Sequence, residues 1–530
     1  MCGIFFLLSS LNKKSEIIEK NFFKIKHRGP DISKSEYLSI NDKQLFFGFH
    51  RLSINGLDLE SGQPLIRDGI YLICNGEIFN YKELIKKYKF EDDYKTNSDC
   101  EIIIHLYKKL GIKETLDNLD GEFSFVLYDK NVNKVYISRD QIGIRSLFIG
   151  KYEDELVISS EMKSIDSKYE VDQFTPGTYS VYDLETKVLT NHEYFFFSKI
   201  NNDLNKFDHI QNIRSLFESA VKKRLLSDRS IGCLLSGGLD SSTVCAIVKK
   251  YMKNVPLNTY SIGLRGSVDL KYAKEMAEYL GTNHFSIELT NEEFLESIEK
   301  TIYQIESYDV TTVRASVGNY LVSLFIRDNT DDKVIFCGDV SDEIFGSYKG
   351  FYYSDNDDNF LKENLNMINN IQYFDVLRSD KSISGAGLEA RVPFGDKDFI
   401  KYVMSIHPSY KKFDDKNIEK YLFRKAFEDI LPKNIAWRSK TAFSDGVGSE
   451  TNQWFEVLKN YMEEKYTDEE YLEKINKYDH NIPYDKESLF YREIFEKYYQ
   501  NKEKIIPYFW KQPFMGMKDP SAWFLEKNKK

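Results

Sequence analysis

A chain of 530 residues is longer than one ordinary hydrophobic core supports, and it points to two or three domains. Hydrophobic residues make up 42% and charged residues 29%, a globular balance that excludes a disordered chain. The net charge of −10 argues against nucleic acid as a partner, and no run approaches the ~18–20 apolar residues of a membrane span.

The chain opens on Met1-Cys2-Gly3-Ile4-Phe5. Removal of Met ahead of a small residue leaves an N-terminal Cys, which carries a thiol and an α-amine on one residue. The amine, with a reference pKa of roughly 7.7–8.0, can take the thiol proton and so create a nucleophile. Short apolar or alternating segments follow at 4–9, 45–50, 71–75, 124–129, 135–139 and 156–160, closed by Gly, Asn or Asp, and read as strands. Helical stretches at about 81–87 and 100–110 interrupt them. The segment 4–8 is too short for a signal-peptide core and lacks a basic flank. None of the six cysteines forms C-x-x-C, so Cys74, Cys100, Cys233, Cys245 and Cys337 read as reduced, buried thiols of a cytoplasmic protein.

Several motifs in this half suit an amide hydrolase. His27-Arg28-Gly29-Pro30-Asp31 reads as a polar turn-rich loop, and Arg51 follows a strand and precedes Leu52-Ser53-Ile54. Asn75-Gly76-Glu77 closes another strand, and Asp99 precedes a helix. A thiolate attacking an amide needs donors for the developing oxyanion. Asn75 offers a side-chain amide, and Gly76 allows close backbone approach. Arg51 suits a substrate carboxylate and Asp99 a substrate ammonium.

Residues 198–207 (SKINNDLNKF) form a polar break. A helix then begins with Ile210, Ile213, Phe217, Ala220, Val221 and Leu225 on one face. Strands at 231–235, 257–262 and 333–337 alternate with helices at 241–251, 269–280 and 314–327, which implies βαβ units and a parallel sheet. Beyond about residue 400 the chain reads as mostly helical.

The strand at 231–235 runs into Ser236-Gly237-Gly238-Leu239-Asp240-Ser241-Ser242 and a helix. Backbone N–H groups and a helix N-terminus there make an anion site. The loop is not G-x-x-x-x-G-K-[ST]; it is similar to the pyrophosphate loop of ATP pyrophosphatases. The strand at 333–337 ends in Gly338-Asp339-Val340-Ser341-Asp342-Glu343, which strand topology brings to the same crevice. Asp240 and Asp342 are the candidate Mg²⁺ ligands, and Lys381 and Lys440 the candidate phosphate contacts.

The N-terminal half resembles a class II glutamine amidotransferase of the N-terminal-nucleophile hydrolase superfamily. The resemblance implies a four-layer α/β/β/α sandwich with Cys2 as nucleophile and Asn75 and Gly76 as oxyanion hole. It makes Arg51, Leu52, Ser53, Ile54, Asn55, Asn75, Gly76, Glu77 and Asp99 the glutamine contacts. Further signatures extend the likeness over about residues 1–500: Tyr308-Asp309-Val310-Thr311-Thr312-Val313-Arg314-Ala315-Ser316, Glu389-Ala390-Arg391-Val392-Pro393-Phe394, Ala436-Trp437-Arg438-Ser439-Lys440, Phe443-Ser444-Asp445-Gly446-Val447-Gly448 and Tyr491-Arg492-Glu493-Ile494-Phe495. Together they resemble the glutamine-hydrolysing asparagine synthetase family. The likeness implies ATP contacts at Leu234, Ser236, Gly237, Gly238, Asp240, Ser241, Ser242, Ile262, Cys337, Gly338, Lys381 and Lys440. The expected domains are an amidotransferase at 2–197 and a parallel-sheet α/β synthetase with a helical C-terminal part at 208–510, before a tail at 511–530. The implied reaction activates the aspartate β-carboxylate as an acyl-adenylate, releasing pyrophosphate. Ammonia from glutamine then displaces AMP. The partners are the small molecules aspartate, glutamine and ATP, with neither nucleic acid nor membrane. The oligomeric state is open, a homodimer being one option.

One departure stands out. The family has Glu-Gly where this chain has Asp339-Val340. Asp is one methylene shorter, and Val does not tolerate φ > 0 as Gly does. Competing readings are a phosphoribosyl- or sugar-aminating amidotransferase, a β-lactam-synthetase-like enzyme and a catalytically impaired homologue with a regulatory role. The first would lack the loop at 236–242. The second would lack the full glutamine constellation. The third rests on Asp339-Val340 alone.

Overall fold

In a computed structural model of the chain the described residues are 1–11, 13–197, 200, 203–413, 418–440, 448 and 453–515. Residues 198, 199, 201 and 202 of the break at 198–207, residues 443–447 of one signature and residues 516–530 of the tail lie outside them. The chain divides into two units. One comprises Met1–Phe196, Leu226–Ser230 and Ser384–Glu389; the other holds Phe197–Leu225, Ile231–Ile383 and the chain from Ala390 on.

The first unit is built from strands with apolar side chains on both faces. β1 (Gly3–Ser10), β2 (Ile32–Ile40) and β3 (Lys43–Arg51) precede β4 (Leu65–Arg67), β5 (Ile70–Ile78), β6 (Gly121–Asp129) and β7 (Lys134–Arg139). β8 (Phe148–Tyr152), β9 (Glu155–Ser159), β10 (Glu170–Gln173), β11 (Thr178–Asp183) and β12 (Val188–Glu193) complete the set. They form two six-stranded sheets, ordered β10-β8-β9-β1-β3-β2 and β12-β11-β7-β6-β5-β4. Side chains alternate along a strand. Ile4, Phe6 and Leu8 of β1 therefore share one face, where they cluster with Phe47, Ile73 and Val126 between the sheets. Phe5 points the other way, 6.4 Å ring to ring from Phe22 of helix α1 (Ser15–Phe23). On the far side, Leu72, Cys74, Phe123 and Phe125 pack against helices α2 (Tyr81–Tyr88), α3 (Glu101–Leu110) and α4 (Ile112–Asn118). Helix, sheet, sheet and helices make the four-layer α/β/β/α sandwich that the sequence led us to expect.

One expectation needs correction. Asn75-Gly76-Glu77 does not end its strand: β5 continues to Ile78, with Asn75 paired to Ser124 and Gly76 to Phe123. The turn-rich segment 27–31 starts in a 3₁₀ turn, Lys26–Arg28, with Arg28 completely buried. β2 was invisible to an apolar-alternation reading; it is a mostly exposed edge strand paired with β3 from Ile32–Arg51 to Ile40–Lys43.

In the second unit, α5 (Lys206–Lys223) starts at Asn205, whose side chain accepts from the N–H groups of Phe207 and Asp208 in a reciprocal capping box. It buries Ile213, Phe217, Ala220 and Val221 as expected, but His209 rather than Ile210. β13 (Ile231–Leu234), α6 (Leu239–Tyr251), β14 (Asn258–Leu264), α7 (Val268–Leu280), β15 (Asn283–Leu289), β16 (Val334–Phe336) and β17 (Glu389–Arg391) follow. The sheet order is β15-β14-β13-β16-β17, with β14–β15, β13–β14 and β13–β16 paired in parallel. The order reverses at β13, so its C-terminal end and that of β16 flank a topological switch point, where ligands bind in open α/β sheets. Helices predominate beyond Ile400, and among the described residues no helix is long and apolar enough to cross a membrane.

The turn after β16 holds a strained residue. Val340 sits at φ 79°, ψ −19°, buried, at the N-cap of the short helix Ser341–Phe345. The left-handed region costs a β-branched residue about 1–3 kcal/mol. Val340→Gly should relieve this strain while losing a buried side chain, whereas Val340→Ala loses much of the same burial and keeps a Cβ. Glycine is therefore expected to be the more stable replacement by about 1 kcal/mol, the reverse of the usual order. Urea midpoints of the two variants check this; an alanine variant as stable as the glycine one would remove the case for strain.

Candidate functional site

Strand register builds the first site. Gly3 pairs with His50, so Cys2 and the loop after β3 lie side by side, and the Cys2 thiol is 3.6 Å from the carbonyl oxygen of Leu52. Asn75 lies two residues beyond Ile73 on β5 and shares its face, which looks into the space between the sheets. Cys2 packs against that same cluster. Asn75 is fully buried, and its amide has no hydrogen-bond partner among the described residues. The same holds for the hydroxyl of Ser124, directly across the ladder, a residue the sequence did not single out. A buried unpaired amide is expensive unless something else pairs with it. Gly76 is required by its neighbour: a Cβ there would stand 2.2 Å from the carbonyl oxygen of Glu122.

Residues 51–58 form a belt. The buried Arg51 donates to the carbonyl oxygens of Asp58 (2.5 Å) and Gly56, so its guanidinium braces its own loop. Asn55 donates to Glu77. The Ser53 N–H donates to Asp31 and the Gly56 N–H to Asp228, each at 2.9 Å. Arg229 donates to the Ser53 carbonyl (2.9 Å), and the Asp228 N–H donates to the Ile54 carbonyl (3.0 Å). Asp99 accepts from the Ile78 N–H at 2.6 Å, which ties it to the end of β5. Arg28, named in the 27–31 motif without a role of its own, donates to the Cys2 carbonyl (2.9 Å) and pairs with Glu161 (3.0 Å), fixing the backbone of the nucleophile candidate.

The α-amine of the chain as described belongs to Met1, which is fully buried. The amine donates to the Leu388 carbonyl at 2.9 Å and lies 4.0 Å from Glu389. Burial pushes this amine down to about 5 and the Cys2 thiol up to about 12. A thiol in that state is protonated at neutral pH and is a poor nucleophile.

The second site is a cavity of about 230 Å³ in the second unit. Ser236, Gly238, Asp240 and Ser241 line it, as do Leu234, Ile262, Cys337, Gly338, Asp339, Asp342 and Lys440. The hydroxyls of Ser236 and Ser241 lie 3.0 Å apart and tighten the loop. Gly237 and Ser242 do not line the cavity. Gly237, at φ 71°, leaves no room for a Cβ, which would stand 2.4 Å from the Tyr272 backbone, and Ser242 is fully buried. Lys381 departs further from expectation: it is fully buried, pairs with Glu306 and is absent from the cavity wall, so nothing in its geometry suits a phosphate contact.

Lys420 takes the cationic role that sequence reasoning missed. Its Nζ lies 2.6 Å from both Asp240 and Asp342, and Lys440 Nζ lies 2.5 Å from Asp342. Burial would raise the Asp342 carboxyl, but the two lysines hold it well below the usual carboxylate range. Burial likewise opposes the Lys420 charge, and the two aspartates more than offset it. The two carboxylates thus converge on the Lys420 ammonium, and a carboxylate pair of this kind, with phosphate oxygens, is a donor set that Mg²⁺ takes. Asp339 accepts from Arg378 at 2.6 Å and from the Ser379 hydroxyl.

Lys411, buried and outside the cavity wall, supports the helix that carries Asp342. Its Nζ donates to Asn364 Oδ1 (2.7 Å) and lies near the carbonyl oxygens of Ile344 (3.4 Å) and Val403 (3.5 Å), with the Phe360 ring 5.7 Å away. No carboxylate among the described residues pairs with it, and burial pushes it down to about 7. The unfolded chain therefore binds one more proton than the folded chain between about pH 7 and its ordinary 10.5. Stability contributed at this site rises with pH across that window, by up to about 1.4 kcal/mol per pH unit, and is flat below it. Denaturation of the native chain and of Lys411→Met from pH 7 to 10 should show this slope only in the native chain; parallel curves would refute it.

Comparison with known proteins follows the same division. The family model described as a glutamine amidotransferase domain matches residues 1–212, and that described as asparagine synthase matches residues 212–365 and 354–524. The proteins named asparagine synthetase (glutamine-hydrolysing) of Mus musculus, Gallus gallus and Homo sapiens are 39%, 40% and 38% identical to this chain, with 98% of each chain covered.

Proposed function

The chain belongs to the glutamine-hydrolysing asparagine synthetase family, and from that premise we propose that it makes asparagine from aspartate and ATP with ammonia taken from glutamine. Residues 2–197 act as the glutaminase and 208–510 as the synthetase. In the first, the Cys2 thiolate attacks the glutamine amide carbon once Met1 is removed and its own α-amine can take the proton. The unpaired Asn75 amide donates to the oxyanion, aided by Gly76. Ammonia leaves, and water releases glutamate from the thioester. The belt of Arg51, Leu52, Ser53, Ile54 and Asn55, with Glu77 and Asp99, holds the amino-acid end.

In the second, an aspartate β-carboxylate oxygen attacks the α-phosphorus of ATP, and pyrophosphate leaves. Ammonia then attacks the acyl carbon, and AMP leaves. Residues 236–241 receive the phosphates at the N-terminus of α6. Asp240 and Asp342 would hold Mg²⁺, which when bound neutralises phosphate charge, and Lys420 and Lys440 hold the Asp342 carboxyl ionised. Asp339, gripped by Arg378, supplies the carboxylate nearest the turn. The six cysteines, none of them in a disulfide, support a reducing, cytoplasmic setting.

The convergence of Asp240 and Asp342 beside the Ser-Gly loop in one cavity carries this reading. The test is product analysis with aspartate, glutamine and Mg-ATP. Asparagine, glutamate, AMP and pyrophosphate are expected in equal amounts. ADP with phosphate would overturn the phosphorus assignment, and glutamate alone would overturn the synthetase half.

A further inference from the structure

Helix Val310–Asn329 lays Thr311, Ala315, Asn319 and Val322 along one wall of the synthetase cavity. Asn319 is 4% exposed, and its Nδ2 has no hydrogen-bond partner among the described residues although the side chain lines the cavity. A carboxamide amine is not left buried and unpaired without a reason, since the penalty is that of desolvating a donor. From β14, Ser261 lines the same cavity, 5% exposed. Its hydroxyl lies 3.0 Å from His284 Nε2, and His284 Nδ1 lies 3.0 Å from the Thr259 hydroxyl. Burial lowers the proton affinity of His284, so the ring is neutral, with one nitrogen a donor and the other an acceptor. Either tautomer leaves the Ser261 hydroxyl with hydrogen-bonding capacity toward the cavity.

Apolar side chains share the cavity lining with these two polar groups. Leu234, Ile262, Ala315, Val322 and Cys337 line the cavity with them. An apolar slot with a fixed carboxamide suits a flat heteroaromatic ring with a polar edge. A ribose, a puckered ring edged with hydroxyls, does not need such walls. A carboxamide offers donor and acceptor side by side, the complement of an adenine edge, where the 6-amino group donates and a ring nitrogen accepts. Resting on the proposed use of ATP, we infer that Asn319, assisted by Ser261, reads the adenine base of the nucleotide and sets its specificity.

The experiment measures dissociation constants by calorimetry for three Mg-nucleotides: ATP, purine riboside triphosphate, which lacks the 6-amino group, and 2′-deoxy-ATP. The proteins are the native chain, Asn319→Leu and Asn319→Met. The native chain should prefer ATP over purine riboside triphosphate by at least about 5-fold. Both variants should bind ATP about 5- to 100-fold more weakly and lose that preference. Because Nδ2 makes no bond within the protein, the nucleotide-free variants should melt no lower than the native chain. A variant that melts normally and keeps native affinity and preference overturns the inference. So does one that instead loses a native preference for ATP over 2′-deoxy-ATP, since Asn319 would then read the ribose. Failure of the native chain to bind ATP or to form pyrophosphate would overturn the functional reading itself, a separate outcome.

Discussion

Cys2→Ala is expected to lose glutamine-dependent asparagine formation by at least about 10⁴-fold while ammonium-dependent formation persists. Loss of a nucleophile is the largest single effect available to a covalent mechanism. Persistence follows if the phosphate loop, the Asp240–Lys420–Asp342 array and Asp339, all in the second unit, carry the synthetase step alone. A chain that keeps Met1 should behave like the mutant. With Met1 in place the thiol is pushed up to about 12, so on the order of one molecule in 10⁵ carries a thiolate at pH 7. Glutamate release and asparagine yield, each assayed with glutamine and with ammonium, check both statements. Ammonium-supported synthesis lost in a folded Cys2→Ala chain would end this division of labour.

Asp339→Asn, assayed with ammonium, is expected to lower asparagine formation on the order of 10²-fold, the scale of a displaced or missing catalytic charge. Asp339→Glu should do better because it keeps the charge. Both Asp339 oxygens are engaged, one by Arg378 and one by the Ser379 hydroxyl, and Arg378 is shared with Asp375 at 2.9 Å. Neutralising Asp339 leaves Arg378 to swing toward Asp375; lengthening it only requires the guanidinium to shift. Full activity of Asp339→Asn would show that this carboxylate has no part in the reaction, whatever the family uses at the position.

What the sequence revealed and concealed follows contact order. The thiol at position 2 and the loop at 236–242 were legible because each is a contiguous run whose chemistry is local. Arg28, Asp228, Arg229 and Lys420 were not, because their roles exist only after distant segments meet: Lys420 contacts Asp240 across 180 residues. No periodicity or turn rule signals such a pairing, and a lone lysine reads as surface. The same blindness misassigned Lys381, whose burial against Glu306 depends on a contact across 75 residues. Strands such as β1 and β6 were found from their apolar runs. β2 and β12 escaped because most of their residues face water and carry no hydrophobic signal. Val340 was flagged from steric reasoning alone, and the turn adopts the positive φ regardless; packing outweighed the local preference.

The first unit is not a contiguous stretch of chain. Asp228 and Arg229 grip the 53–56 belt, and Leu388 receives the N-terminal amine, yet both segments are translated long after β12. On the ribosome, these contacts to the belt and to the N-terminal amine lack their partners until segments 226–230 and 384–389 have been made. A gene fragment cut at the apparent domain boundary near residue 197 would encode the sandwich without its last fasteners. Supplying 226–230 and 384–389 by circular permutation or loop grafting would be the way to make that half stand alone.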